Sequence, residues 1–458
     1  MQQLFGLPLF LGLAAFAQIG HRTFVFNDPT RSGGFGSGGG PGRQIQTEIY
    51  YPAVQAGDNT PIQTGAFPVI LIGHGFLMPW SAYQNLWEEL VPAGYIVALP
   101  RTEGGFSPSH RDFALDLRLV GERLLAEGQN PFSPFYGRIY PRLALMGHSM
   151  GGGCAILAAA NFSGAHCVVG LAAANTNPSA IQAAAQVTLP TLIIAGSGDS
   201  VTPPRQHQLP IYNNLAATCK AYVSLTGGGH CYFANPDAAC DFGENSAGST
   251  ITLTRAQQQA LTLRILRPFL NAYLRDSCPA RFIDTLASLA STFITYSTTC
   301  AYPRLSLSAQ ISPPTPDNPN SGSISLSVQG GQPPYQYIWS HGFTGPNPTG
   351  LGPGTYQVIV RDAHGCTAET TFTLSLSTFL RPFSSYSTPR SFCSAGTLYL
   401  ELPTPYIGRR WCLLDTAGRL LAEGYIHGPH LTLPLPPNPL GLYLLTIDEW
   451  QTRLFCPP

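Results

Sequence analysis

A chain of 458 residues exceeds what one ordinary core holds, and usual domain sizes divide it into roughly two to four domains. Charged residues make up only 10% of it, and 24 Lys and Arg balance 24 Asp and Glu to a formal net charge of zero. That balance offers neither a basic face for nucleic acid nor an acidic tail, and no nucleic-acid partner is expected.

The first segment, Met1 to Gln18, is apolar from Leu4 through Phe16 and ends in Ala15-Phe16-Ala17. This is the small-x-small pattern of a signal-peptidase site, so a signal peptide is expected over residues 1–17, cut after Ala17. No positive charge precedes the apolar run, and a buried N-terminal helix is the competing reading. Nowhere else do about 18 apolar residues run uninterrupted, so no membrane span is expected.

From Arg22 to about Tyr302, short apolar runs alternate with helical stretches, the pattern of a mostly parallel sheet covered by helices. Five runs read as doubly covered strands: Pro68–Ile72, Tyr95–Leu99, Leu143–Met146, Cys167–Leu171 and Thr191–Ala195. A sixth, Ala221–Leu225, is β-branched and aromatic, and helices are expected around Ala82–Leu90, Asp112–Leu125 and Gly151–Ala160. Gly33 to Gly42 is a glycine-rich loop between outer strands, without the Gly-Lys-Ser/Thr ending of a phosphate-binding loop. After Tyr302 the composition turns to Ser, Thr, Pro and Gly with short alternating strands, which indicates all-β appendages over about Leu305–Leu376 and Phe392–Pro458.

Eleven cysteines agree with an oxidising compartment, and with no CxxC pair among them thiolate metal sites are not expected. The odd count leaves at least one thiol unpaired within the chain, for which Cys154, buried in its helix, is the candidate. Cys231 with Cys240 and Cys278 with Cys300 are the local bridges suggested, although spacing alone does not fix connectivity.

The densest chemical signal is Gly147-His148-Ser149-Met150-Gly151-Gly152-Gly153, directly after an apolar strand and before a small-residue helix. A serine on such a tight strand-to-helix turn projects its hydroxyl from the sheet edge, and glycines two residues to either side remove side chains that would clash. Ser149 is therefore the expected nucleophile. A serine hydroxyl needs a base to take its proton and an acid to orient that base, and on this kind of turn the chain order is Ser, acid, His. Asp199, in the loop after Thr191–Ala195, is the expected acid; Asp237 and Glu244 follow the expected histidine, while Asp112 and Asp116 precede the serine on a helix. His230, after Gly227-Gly228-Gly229, is the expected base. His207 reads as a surface residue, and His74 and His148 as residues that pack or orient loops. Backbone N–H groups of Met150 and of Phe76, in Gly73-His74-Gly75-Phe76, are the expected oxyanion donors.

These blocks, with Pro190–Ala195, Asp199-Ser200, Leu209-Pro210-Ile211-Tyr212 and Gly228-Gly229-His230, resemble cutinases and poly(ethylene terephthalate) hydrolases over roughly Glu48 to Leu274. Dienelactone-hydrolase-like and chlorophyllase-like esterases share several of them. The resemblance implies a shallow lidless cleft and esterase attack on aliphatic or aromatic esters, with polyesters among the candidates; the expected fold is an α/β-hydrolase, and its serine mechanism is expected to need no metal or cofactor. Two departures stand out: Leu171-Ala172-Ala173-Ala174-Asn175-Thr176-Asn177-Pro178 holds no tryptophan where the polyester hydrolases clamp an aromatic ring, and no cysteine lies near Asp199. Further on, Gly330-Gly331-Gln332-Pro333-Pro334-Tyr335 through Trp339-Ser340, Gly354-Thr355-Tyr356 and Asp362-Ala363-His364-Gly365-Cys366-Thr367 resemble the immunoglobulin-like repeats of bacterial gliding adhesins. Trp411 to Arg419 and Gly441-Leu442-Tyr443 resemble a type IX secretion C-terminal sorting domain, which implies the outer-membrane secretion machinery as partner and a secreted or cell-surface location. A pair of generic β-sandwiches binding a carbohydrate or polymer is the alternative. The expected organisation is a signal peptide over 1–17, an α/β-hydrolase domain over 18–302, an immunoglobulin-like repeat over 303–376, a linker over 377–391 and a C-terminal β domain over 392–458. A surface adhesion protein with an idle hydrolase domain is the competing function.

Overall fold

The computed structural model describes residues 18–376, 390–394, 397–402, 406–436, 442–447 and 450–455. The expected signal peptide and most of the expected linker lie outside the described residues. Two compact units are formed: one takes in residues to Gln310 with Ser325–Asn347 and Tyr356–Phe372, the other Ile311–Ile324, Pro348–Thr355 and the described residues from Thr373 onward.

The first unit is built on β1 (Gln18–Asp28), β2 (Gly34–Phe35), β3 (Arg43–Ala53), β4 (Gly57–Asp58), β5 (Phe67–Gly73), β6 (Ile96–Pro100), β7 (Ile139–His148), β8 (Cys167–Leu171), β9 (Thr191–Gly196), β10 (Lys220–Leu225) and β11 (Ile294–Thr298). They form one eleven-stranded sheet in the order β11-β10-β9-β8-β7-β5-β6-β3-β1-β4, with β2 beside β3. The six inner strands from β10 to β6 run parallel. Strands β3 and β1 on one side and β11 on the other are antiparallel additions. The six apolar runs thus lie in the parallel centre, and β1, β3 and β11 are strands the apolar pattern did not mark.

Helices α1 (Gln84–Leu90), α2 (His110–Glu127), α3 (Met150–Ala159), α4 (Ala180–Ala184), α5 (Gln208–Asn214), α6 (Ala238–Ser246), α7 (Arg255–Leu274) and α8 (Ala280–Leu289) complete the unit, with a 3-10 turn over Trp80–Tyr83 ahead of α1. Alternation along each strand divides the core in two. Val69, Leu71, Leu143 and Leu145 pack with Phe113, Leu117, Val120 and Leu124 of α2 and Cys154 and Ala155 of α3. Ile70, Ile72, Ala144 and Met146 pack with Leu86 and Leu90 of α1 and Ile265, Leu266, Phe269 and Leu270 of α7 on the opposite face. A strand covered on both faces reads as an unbroken apolar run, and each fully buried aliphatic side chain stabilises the fold by about 1.5–3 kcal/mol. No helix among the described residues is long and apolar enough to cross a membrane.

Chain order fixes where a site can form. From β5 the chain steps outward to β6, then returns to place β7 on the other side of β5. The loops leaving β5 and β7 therefore diverge at a topological switch point, where open α/β sheets form their crevice.

The remaining strands are β12 (Ser306–Ser312), β13 (Gly322–Gln329), β14 (Gln336–Trp339), β15 (Thr349–Leu351), β16 (Gly354–Arg361) and β17 (Thr367–Leu374). After them come β18 (Arg390–Ser394), β19 (Thr397–Glu401), β20 (Arg410–Leu414), β21 (Leu420–Tyr425), β22 (His430–Pro434), β23 (Leu442–Ile447) and β24 (Trp450–Phe455). They make several small all-β sheets, among them β14-β16-β17, β18-β19-β22 and β21-β20-β23-β24.

The disulfides correct one expectation. Cys231 pairs with Cys240, but Cys278 pairs with Cys366 and Cys300 with Cys219. The reason is the unmarked edge strand: β11 runs antiparallel to β10 with Ala221 opposite Thr298, which carries Cys300 back beside Cys219 at the start of β10. Among the described residues Cys154 and Cys167 are free and buried, and Cys412 is free and partly buried.

Candidate active site

Ser149 sits between β7 and α3 with φ 54° and ψ −120°, a conformation that non-glycine residues rarely adopt. The backbone packs around it without room for side chains. A Cβ on Gly147 would lie 2.1 Å from the Gly151 carbonyl oxygen, and one on Gly151 would lie 2.2 Å from that of Gly73. The turn therefore presses its backbone directly against the loop leaving β5, which carries His74, Gly75 and Phe76.

The structure brings Ser149, His230 and Asp199 together from three different loops. His230 Nε2 is 2.9 Å from Ser149 Oγ, and His230 Nδ1 is 2.8 Å from Asp199 Oδ2. A carboxylate oxygen only accepts, so Nδ1 carries the proton and Nε2 is left to accept the serine hydroxyl. All three are buried. Burial alone would raise the Asp199 carboxyl, yet hydrogen bonds from the His230 ring and from the Thr202 backbone N–H and hydroxyl, both 2.8 Å, hold it below the usual carboxylate range. Asp199 is thus ionised at neutral pH, and it holds the imidazole in the tautomer that leaves Nε2 free.

Phe76 lies in the loop after β5 and is 46% exposed, and Met150 opens α3 as a buried residue. His148 and His74 are buried. His148 bridges the Tyr83 hydroxyl and the His230 carbonyl, while His74 lies 2.9 Å from the carbonyl oxygens of Gly75 and Thr102. His207 is half-buried rather than a free surface residue: its Nδ1 accepts the Asn175 N–H at 2.9 Å, because the loop after β8 folds over the start of α5. Asp116 is buried on α2 in a bidentate ion pair with Arg43, and Asp112, on the same helix, lies 3.4 Å from Arg31. Asp237 caps α6 by accepting the N–H groups of Ala239 and Cys240.

Several residues support the site in roles that the sequence did not mark. Thr202 places its hydroxyl 3.0 Å from His230 Nδ1 and accepts from Gln208 Nε2 at 3.0 Å. Glu244, 2% exposed, accepts the backbone N–H of His230 and, at 3.0 Å, that of Cys231. Gln258 of α7 clamps Gly229 through its N–H at 2.8 Å and its carbonyl at 2.9 Å. Arg255 binds the carbonyls of Cys231 and Ala234. The partners of Glu244, Gln258 and Arg255 here are main-chain groups, which no spacing of residue types marks. Cys231, Asp241 and Glu244 approach within 4.8 Å, but the Cys231 sulfur is held in the bridge to Cys240 and offers no thiolate to a metal.

A buried serine, an imidazole and an ionised carboxylate linked at hydrogen-bond distance can activate a hydroxyl for attack on an acyl carbon. Residues 18–244 match the PET hydrolase-like family model. Residues 308–344 match the SprB repeat. Over 187 residues the chain is 30% identical to the bis(hydroxyethyl) terephthalate hydrolase of Streptomyces coelicolor, covering 40% of this chain and 54% of that protein. It is 29% identical over 204 residues to cutinase est1 of Thermobifida alba, covering 44% of this chain and 60% of that enzyme. Cutinase 1 of Thermobifida cellulosilytica is 38% identical over 90 residues, 19% of this chain and 33% of the relative. The chain thus spans a little over half the length of the first of these relatives and three fifths of the second.

Proposed function

We propose that this protein is a secreted serine hydrolase of carboxylic esters, with Ser149 as nucleophile, His230 as general base and acid, and Asp199 as the group that orients the histidine. The observation that carries the reading is the continuous hydrogen-bonded line from Ser149 Oγ through His230 to Asp199, at 2.9 and 2.8 Å. In the reaction, Ser149 Oγ attacks the ester carbonyl carbon as its proton passes to His230 Nε2. The oxyanion is received by the N–H groups of Phe76 and Met150. The adduct collapses to an acyl-enzyme, and His230 returns the proton to the departing alcohol. A water molecule, deprotonated by the same nitrogen, then releases the acid and restores the serine.

The matches to cutinases and to a bis(hydroxyethyl) terephthalate hydrolase support esters as the substrate class and bring polyesters into it. Against a polyester preference stands the segment after β8, Ala172 to Pro178, which holds no tryptophan to stack on an aromatic ring. The SprB-repeat match supports a second role for the C-terminal part, in holding the enzyme at a cell surface or polymer. Residues 392–458 are read as a type IX sorting domain and residues 1–17 as a signal peptide. A fluorophosphonate probe tests the chemistry: it labels the folded wild type and leaves Ser149→Ala unlabelled, and an unlabelled wild type sinks the proposal. Hydrolysis of p-nitrophenyl esters of graded length, set beside product release from a polyester film, separates a small-ester esterase from a polymer hydrolase.

A further inference from the structure

Two buried titratable side chains, Tyr83 and His148, take no part in the proton transfers just described, yet they join the loops that carry them. Both are fully buried. The Gly75 N–H donates to the Tyr83 hydroxyl oxygen at 2.8 Å. That hydroxyl lies 3.0 Å from His148 Nδ1, and His148 Nε2 lies 2.9 Å from the His230 carbonyl oxygen. The direction of this chain is fixed at both ends. A carbonyl oxygen only accepts, so Nε2 of His148 bears the proton; Nδ1 is then an acceptor, and the Tyr83 O–H donates to it. The hydroxyl oxygen in turn receives the Gly75 N–H. Burial pushes the His148 imidazolium down to about 3, so the ring stays neutral and the direction does not reverse at working pH. A further contact of the Tyr83 hydroxyl, the Met78 sulfur at 3.4 Å, is a weak acceptor.

We propose that Tyr83 and His148 are positioning residues: a rigid strut that sets the distance between the oxyanion loop at Gly75-Phe76 and the base loop at His230, and so governs turnover. The inference rests on the ester-hydrolase reading above. Its physical basis is that Gly75 directly precedes the proposed donor Phe76, that His148 directly precedes Ser149, and that the accepting carbonyl belongs to His230 itself. One line of hydrogen bonds therefore registers donor, nucleophile and base against one another. The packing leaves no slack, since a Cβ on Gly75 would lie 2.7 Å from Met78 Sδ and 3.3 Å from both His148 Nδ1 and the Tyr83 hydroxyl. Such a strut bears on the transition state more than on the ground state, because the oxyanion exists only in the former.

Tyr83→Phe removes one oxygen and keeps the ring. Turnover of p-nitrophenyl butyrate is expected to fall about ten- to a hundredfold, the loss that follows small misplacements of reacting groups, while KM holds. Affinity for an alkylboronic acid, which mimics the tetrahedral adduct, is expected to fall by a similar factor. His148→Gln behaves alike, and the double variant loses no more than the worse single variant, because both break the same line. Undiminished kcat in the two single variants of an active enzyme overturns the strut. So does a loss of kcat with unchanged boronate affinity, or collapse of both variants to unfolded protein, since each marks the chain as scaffold alone. A wild type inert toward the ester, with the same fold, overturns the hydrolase reading and the strut together.

Discussion

Ser149 holds a backbone conformation that costs on the order of 1–3 kcal/mol, and the surrounding glycines keep it there by allowing main chain to touch main chain. Gly151→Ala places a methyl group 2.2 Å from the Gly73 carbonyl oxygen, so it is expected to destabilise the first unit by about 1–3 kcal/mol and to lower activity, measured by denaturant unfolding beside ester turnover. Asp199→Asn replaces an acceptor by an amide that can hold His230 in the other tautomer. Turnover is expected to drop roughly 10⁴-fold with the fold intact, as a steady-state assay with circular dichroism reads out. The glycines, Ser149, Asp199 and His230 are identifiable from residue type and order because each sits at a strand end with glycines around it. Glu244 and Gln258 are not, because the partners they hold at the site are backbone N–H and carbonyl groups that every residue possesses, and Tyr83 is not, because the Gly75 N–H and the His148 ring that it joins meet it only in the fold.

At the level of elements, the paired outer strands β1 and β3 carry a charge cluster. The Glu48 hydrogen bond is the leading cause that raises the His21 imidazole; burial opposes it, and Asp58 adds to it. Burial would raise Glu48, but hydrogen bonds from His21, Thr23 and Arg101 outweigh it and lower its carboxyl to about 2. The folded protein therefore holds the His21 proton more tightly than the unfolded chain does. That contribution is complete below about pH 6.5 and is lost as the pH rises through the higher folded value. Glu48 acts in the opposite sense: its contribution is complete above pH 4.5 and is lost as the pH falls toward 2. His21→Gln is expected to lower the melting temperature at pH 5.5 by more than at pH 8.5, as thermal melts of both proteins at the two values test. These strands also mark the limit of apolar patterning. β1 and β3 carry polar residues such as His21, Arg22, Gln44 and Glu48 among their apolar ones, so neither reads as an unbroken apolar run. The parallel strands, sealed between two helical layers, do. β11, exposed at alternate positions on the sheet edge, escaped for the same reason and took the Cys219–Cys300 bridge with it.

For the whole molecule, the Cys278–Cys366 bridge links the segment just before α8 to the turn between β16 and β17 across 88 positions of sequence. Closing a loop of that length in the unfolded chain removes entropy equivalent to about 4–5 kcal/mol. Cys366→Ser is accordingly expected to lower the unfolding midpoint by a measurable fraction of that figure while the Ser149 site, built from other elements, keeps its ester turnover. The composition of the chain after Tyr302 announced a change of architecture. It could not announce this bond, since an expected boundary near residue 302 argues for pairing Cys278 locally rather than with a cysteine beyond it.

That bridge changes what a cut between its cysteines would mean. A protease that severs the main chain anywhere between residues 279 and 365 leaves both pieces joined through sulfur. The nicked protein would migrate as one species without a reductant and as two with it, so separating the pieces after a cut in that span takes an electron donor as well as a blade.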